Sequence, residues 1–313
     1  MEPAPFHSDL AEGPAGGAAV WATTKDGLRI RIGYWPTEDN GGNAGTIFLF
    51  PGRSEYIEKY GHVARDLSGR GWHLVTVDWR GQGLADRMLD DPMVGHVARF
   101  SDYQRDVAEL IAFATARDLP QPWMLIGHSM GGCIALRTIS ERDCFAAVAF
   151  SAPMWGINIA PALRSLSRTV PRIAERLGFG GRYAPTTGGD SYLLSQPFDD
   201  NVLTTDRAMW NYMKRQVSEV PRFRLGGPSL TWLAEALSET RMLVAAPRPK
   251  MPAHVSVGAL EKIVDAEAIG TVATAWLGTT HEVVAGAEHE LMMERREVRE
   301  GFLARADALF RSA

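Results

Sequence analysis

Hydropathy along the chain begins with strict alternation and then changes period. Trp21 to Thr24 and Leu28 to Tyr34 alternate apolar and polar positions on either side of Lys25-Asp26-Gly27, which predicts an antiparallel hairpin at the edge of a sheet. From Thr46 onward the apolar runs become short and continuous, as strands buried on both faces require. They cover Thr46 to Phe50, His73 to Val77, Trp123 to Gly127 and Phe145 to Phe150. Between them Ile57, Tyr60, Val63 and Leu67 recur at helical spacing, and so do Tyr103, Val107, Leu110, Ile111 and Ala114, whose helix a capping box of Ser101 with Gln104 would open. Strands alternating with helices predict right-handed βαβ units in a parallel sheet covered on both sides.

After Ser151-Ala152-Pro153 this alternation stops for about ninety residues. It resumes with a strand over His254 to Gly258, a helix near Ala266 to Ala275, a strand near Glu282 to Ala285, and a last helix whose Val298, Phe302, Ala306 and Leu309 share one face. The expected organisation is an α/β core over residues 1–152 and 246–313, a mostly parallel doubly wound sheet, with an inserted helical cap over 153–245. A chain of 313 residues that is 45% hydrophobic and 22% charged can bury such a core. The Pro-, Gly- and Ala-rich stretch from Met1 to Ala19 lacks the basic start and apolar centre of a signal peptide, and no run is long enough to span a membrane.

The chemistry concentrates where the Trp123 strand meets the next helix. Gly127-His128-Ser129-Met130-Gly131 places Gly-x-Ser-x-Gly between them, which predicts a tight corner that holds the Ser129 hydroxyl clear of the sheet. Strain of that kind costs on the order of 1–3 kcal/mol and collects at functional sites, so Ser129 is the expected nucleophile. A serine hydroxyl needs a base, and the base needs an orienting acid, in the chain order serine, acid, histidine. His254 and His281 fall in predicted strands, whereas His289 lies in the loop Gly286-Ala287-Glu288-His289-Glu290 and is the expected base. Glu261, close to the end of the His254 strand, is the expected acid; Asp265 is the second candidate, although capping the following helix accounts for it. The backbone N–H groups of Met130 and Arg53 are the expected oxyanion donors. Glu55, Asp78 and Arg80 read as residues that structure loops.

Composition narrows the partners. A formal charge of −4 gives no basic footprint for nucleic acid. Cys133 and Cys144 lack metal-ligand spacing and read as small apolar residues in a reducing, cytoplasmic compartment, and the chemistry calls for no cofactor or metal. Between Met154 and Arg241 eleven Lys or Arg meet eight Asp or Glu, a local +3 against −7 elsewhere. There Leu163, Leu166, Val170, Ile173 and Leu177 recur near helical spacing, Arg164, Arg168, Arg172 and Arg176 fall every fourth residue, and Pro171 divides the segment. The plainer reading is a cap whose arginines face water; the sharper one is peripheral contact with anionic lipid at the inner membrane face.

With these residues placed, the chain resembles the monoacylglycerol lipase and lysophospholipase group of α/β-hydrolases. The likeness runs through Pro51-Gly52-Arg53-Ser54-Glu55, Asp78-Trp79-Arg80-Gly81-Gln82-Gly83, Gly95-His96-Val97-Ala98-Arg99-Phe100 with Asp102-Tyr103, and Gly127 to Gly132. It continues through Asn201-Val202-Leu203-Thr204, Gly226-Gly227-Pro228, Glu261-Lys262-Ile263-Val264-Asp265 and the His289 loop. Pro51-Gly52, where monoacylglycerol lipases usually have His-Gly, and Glu261, where many relatives have Asp, resemble the bacterial inner-membrane lysophospholipase branch. The resemblance implies a Ser129, Glu261, His289 triad under a cap, and hydrolysis of a small ester or lipid substrate through an acyl-enzyme. An aminopeptidase or amidase would share the triad and need acidic residues to bind a free amine, for which Asp199-Asp200 is the only hint. A non-catalytic binding protein would have no need of the complete set.

Overall fold

The computed structural model describes residues 1–37, 43–158 and 178–313. The apolar series from Leu163 to Leu177 and the arginines at 164, 168, 172 and 176 lie outside the described residues.

The strands are β1 (Glu2–Pro3), β2 (Ala18–Thr23), β3 (Arg29–Trp35), β4 (Gly45–Phe50), β5 (Trp72–Asp78), β6 (Trp123–His128), β7 (Val148–Ser151), β8 (Ala253–Gly258) and β9 (Thr279–Val284). The helices are α1 (Ser8–Ala11), α2 (Gly61–Ser68), α3 (Tyr103–Ala116), α4 (Met130–Glu141), α5 (Tyr192–Ser195), α6 (Arg207–Glu219), α7 (Leu230–Ala245), α8 (Ala266–Thr274) and α9 (Arg296–Ser312). One nine-stranded sheet runs β1-β2-β3-β5-β4-β6-β7-β8-β9. Its first three pairings are antiparallel and the rest parallel. The β2–β3 hairpin forms as its alternation predicts, but not at the edge: Glu2 and Pro3 pair with Trp21 and Val20 and cover it. A two-residue strand carries no hydropathy period, so the sequence pattern is silent about it.

Within a parallel strand successive side chains enter opposite layers, which is why the runs are continuously apolar. Phe48 and Phe50 of β4 join Leu125, Val148 and Val255 in the layer that α3, α4, α7 and α8 cover. Ile47 and Leu49 join Met124, Ile126 and Ala149 in the layer under α2 and α9. Phe302 and Ala306 of α9 are buried there, with Val298 and Leu309 packed beside them, as the helical spacing predicts.

The expected capping box of Ser101 with Gln104 does not form. Residues Phe100–Asp102 make a 3-10 turn, and the Asp102 carboxylate accepts from Arg99 N at 3.1 Å. Gln104 is thereby turned inward, donating to Ile134 O at 3.1 Å and accepting from Thr138 Oγ1 at 3.1 Å, so a residue read as a cap instead ties α3 to α4.

Candidate active site

Strand β6 ends at His128 and α4 begins at Met130, leaving Ser129 alone to turn the chain. It does so at φ 50° and ψ −120°, a conformation that L-residues rarely adopt. The corner closes because its glycines have no Cβ: one on Gly131 would run into Phe50 O, and one on Gly127 would stand 2.9 Å from Gly132 Cα. Ser129 is buried among protein atoms yet lines a cavity of about 370 Å³ with Arg53, Glu55, Lys59, His128, His289 and Glu290.

His289 lies in the loop after β9. Its Nδ1 is 2.6 Å from Glu261 Oε2, with both side chains buried. A carboxylate can only accept there, so Nδ1 donates and Nε2 is left as the basic nitrogen. Glu261 is itself fixed by the N–H groups of Ile263 and Val264, which reach its Oε1 at 2.6 and 3.0 Å. Burial alone would raise the Glu261 pKa, but the hydrogen bond and charge of His289 and those two N–H groups pull it below the ordinary carboxylate value. Asp265 caps α8, accepting from Glu267 N and Ala268 N at 3.1 Å each. His254 is satisfied within the sheet by Thr280 Oγ1 at 2.7 Å and Ser256 Oγ at 2.8 Å. Ser129 and His289 line the same cavity, without a hydrogen bond between their side chains in this structure; such contacts are often loose until substrate is bound.

Met130 opens α4, where the first-turn N–H groups have no partner one turn back. Arg53 N–H has no hydrogen-bond partner among the described residues either. Asp78 and Arg80 hold loops as expected. Asp78 accepts from Arg31 Nε, Ile57 N and Leu84 N, and Arg80 pairs with Asp106 and Asp26.

Glu55 does more than shape a loop. It accepts from Gly52 N and Tyr60 Oη, and its Oε1 lies 2.5 Å from Lys59 Nζ. Lys59 also reaches Glu290 Oε1 at 2.7 Å, and Glu290 Oε2 lies 3.2 Å from His128 Nε2. His128 Nδ1 lies 3.0 Å from Ser151 O and 3.2 Å from Ser151 Oγ, while Nε2 faces Glu290 without a well-formed hydrogen bond. Burial opposes a charge on the ring, but Glu290 and Glu55 outweigh it and raise the His128 pKa. Burial likewise opposes the charge on Lys59, and the same two carboxylates raise its pKa; for Glu290 burial pushes upward while Lys59 and His128 bring it well below the ordinary value. Two carboxylates thus meet the Lys59 ammonium and the His128 ring in one buried set, and the His128 ring stands 5.0 Å from that of His289. Atoms of Glu55, His128 and Glu290 lie within 4.8 Å of one another, and the ammonium of Lys59 is the cation that joins the two carboxylates. The i,i+4 spacing of Glu55 and Lys59 was the one sequence signal of this set.

Residues from between β7 and β8 complete the cavity wall. Asn201 makes a side-chain turn to Leu203 N and Thr204 N at 2.8 and 3.0 Å, and Leu203 O accepts from Glu290 N at 2.8 Å, which seats Val202 and Leu203 against the cavity. Asp199 is exposed and pairs with Arg207 at 2.9 Å; neither it nor Asp200 lines the cavity.

The sequence profile of the family described as serine aminopeptidase, S33, matches residues 41–296. The chain is 33% identical over 267 residues to lysophospholipase L2 of Escherichia coli K12, covering 81% of this chain and 76% of that protein. Monoacylglycerol lipase of Mycolicibacterium smegmatis is 24% identical over 276 residues, 86% of this chain and 91% of that one. Among solved structures, a soluble variant of monoglyceride lipase from Saccharomyces cerevisiae in complex with a substrate analog superposes with a TM-score of 0.71 at 18% identity, over 93% of this chain and 94% of that one.

Proposed function

This chain belongs to the serine aminopeptidase S33 family of α/β-hydrolases, within its lysophospholipase and monoacylglycerol lipase group, and we propose that Ser129, His289 and Glu261 are its catalytic triad. It is a carboxylic-ester hydrolase of lipid substrates. The observation that carries the triad is the 2.6 Å contact between His289 Nδ1 and Glu261 Oε2, beside a cavity shared by His289 and a serine held at positive φ.

In the reaction, His289 Nε2 takes the Ser129 hydroxyl proton while Oγ attacks the ester carbonyl. Glu261 holds the imidazolium through Nδ1–H, and the N–H groups of Met130 and Arg53 receive the charge that develops on the carbonyl oxygen. The alcohol leaves with the proton from Nε2, and water activated by the same nitrogen releases the acid.

We read residues 153–245 as a cap. Leu193, Val202, Leu203, Val217, Phe223 and Leu225, all from that stretch, supply most of the apolar cavity wall and suit an acyl chain. The aminopeptidase reading would need an acidic group free to hold an amine, but Glu55 and Glu290 are both engaged by Lys59. Peripheral contact with anionic lipid is a further part of the proposal and rests on the local +3 charge of the insertion. No helix among the described residues is long and apolar enough to cross a membrane. Purified enzyme offered lysophospholipids, monoacylglycerols, nitrophenyl esters and aminoacyl anilides should cleave the esters and spare the anilides. Preferential cleavage of the anilides would overturn the ester reading.

A further inference from the structure

Among the described residues, the fully buried arginines come with carboxylates. Arg31 sits between Asp78 and Glu58 at 2.8 and 2.6 Å, Arg80 pairs with Asp106 at 2.7 Å, and Arg299 with Asp66 at 2.8 Å. Such pairing is the rule, because a guanidinium out of water needs compensation. Arg53, half-buried on the wall of the active-site cavity, pairs with no carboxylate among the described residues; the half-buried Arg87, Arg142, Arg224 and Arg248 have none either, but they stand outside the cavity lining. Its Nη2 donates to Gly226 O at 2.6 Å, its Nη1 reaches Ser54 Oγ at 3.2 Å, and its Nε is buried without a partner. The guanidinium carbon lies 5.4 Å from the centre of the Trp232 ring.

Two further observations bear on this uncompensated cation. The other ionisable groups in the cavity lining face partners: Glu55 and Glu290 lie against Lys59 and His128, and Glu261 stands behind His289, outside the lining. Arg53 is thus the cation of the lining that no carboxylate faces among the described residues. The side chain is also held in place, since a Cβ at Gly95 would collide with Nη2 and Gly226 fixes that nitrogen from the other side. Burial lowers its pKa to about 10, which leaves it charged at neutral pH.

We propose that the Arg53 guanidinium is the anion-binding end of the cavity, taking the phosphodiester of a single-chain lipid whose acyl chain lies along Leu193, Val202, Leu203 and Phe223. The geometry suits that division. If Arg53 N–H serves the ester oxyanion, its guanidinium lies one side-chain length away, and in a lysophospholipid the glycerol separates the ester from the phosphorus by a comparable number of bonds. Guanidinium is the group best matched to phosphate oxygens. This assignment deepens the lipid-ester reading above and rests on it.

The test compares wild type, Arg53→Gln and Arg53→Lys on a lysophospholipid and a monoacylglycerol of the same acyl chain. A charge-assisted contact predicts that the ratio of kcat/KM for the two substrates falls on the order of ten- to a hundredfold in Arg53→Gln, mainly through KM, and by less in Arg53→Lys. A guanidinium that only ties Gly226 to the Ser54 loop would lower both substrates together, and an unchanged ratio in both variants overturns the proposal. Binding of dodecylphosphocholine and dodecylglycerol below their micelle concentrations gives a readout independent of turnover. Discrimination for the phosphodiester that disappears in Arg53→Gln supports the site even if no ester is cleaved. Equal binding of both amphiphiles by wild type refutes it.

Discussion

His128 Nε2 lies 3.2 Å from Glu290 Oε2, and these two residues immediately adjoin Ser129 and His289, respectively. The segment that carries the proposed nucleophile and the segment that carries the proposed base are thus joined one residue away from each. Lys59 and Glu55 close the set from the loop that carries Arg53 N–H. Three parts of the proposed site share one buried support.

Glu290→Gln is expected to leave Lys59 and His128 with a single carboxylate between them. Removing one partner of a buried pair costs about 3–5 kcal/mol, whereas removing both partners costs less. Denaturant unfolding should show that loss in Glu290→Gln and partial recovery in the double variant Glu290→Gln, Lys59→Met. A double variant as unstable as the sum of the singles would mean that the two side chains are not coupled.

The raised pKa of His128 predicts a pH signature. Its folded pKa is raised above the ordinary 6.5, so its contribution to stability is complete below pH 6.5 and is lost as pH rises through the higher folded value. Wild type should lose stability over that rise, and His128→Gln should lose less across the same interval. Parallel stability curves for the two proteins would show that His128 is not charged in the fold.

Glu261 and Asp265 separate by kind of effect. Glu261→Gln disturbs the orientation of His289 and should lower kcat by roughly 10³–10⁴-fold. Asp265→Ala removes a helix cap and should cost about 1 kcal/mol of stability with turnover retained. An inactive, well-folded Asp265→Ala beside an active Glu261→Gln would reverse the assignment of the acid.

How much of this was legible follows from what each residue type signals. The period of the apolar runs and the Gly-x-Ser-x-Gly corner located the sheet, Ser129 and the two layers, because backbone geometry dictates those patterns directly. His289 and Glu261 were legible as loop residues after strands, where side chains can converge. Glu290 and Lys59 were not, since a charged residue beside a loop reads as solvated until the fold shows that both are buried against each other. Gln104 differs for the same reason: a polar residue three positions after a serine fits a cap, and only the packing of α3 on α4 turns it inward. Arg53 gave a backbone role in the sequence; that its side chain lacks a carboxylate is a property of the fold alone.

The insertion arginines provide a test of surface contact. Replacing Arg164, Arg168 and Arg176 by Gln should weaken adsorption to anionic vesicles on the order of a hundredfold at low salt, from about 1 kcal/mol per charge, and by less at high salt. Turnover of a short soluble ester should be retained. Equal vesicle activity of the variant and wild type at low ionic strength would make these arginines an ordinary solvated face.

The most direct test of the central claim is covalent labelling. Wild-type protein treated with a fluorophosphonate ester and mapped by peptide mass spectrometry should carry a single adduct on Ser129 Oγ. His289→Ala should label on the order of 10³-fold more slowly or worse, and Ser129→Ala should neither label nor hydrolyse lipid esters while unfolding at the same temperature as wild type. An adduct on another residue, or wild-type hydrolysis by Ser129→Ala, would contradict the account.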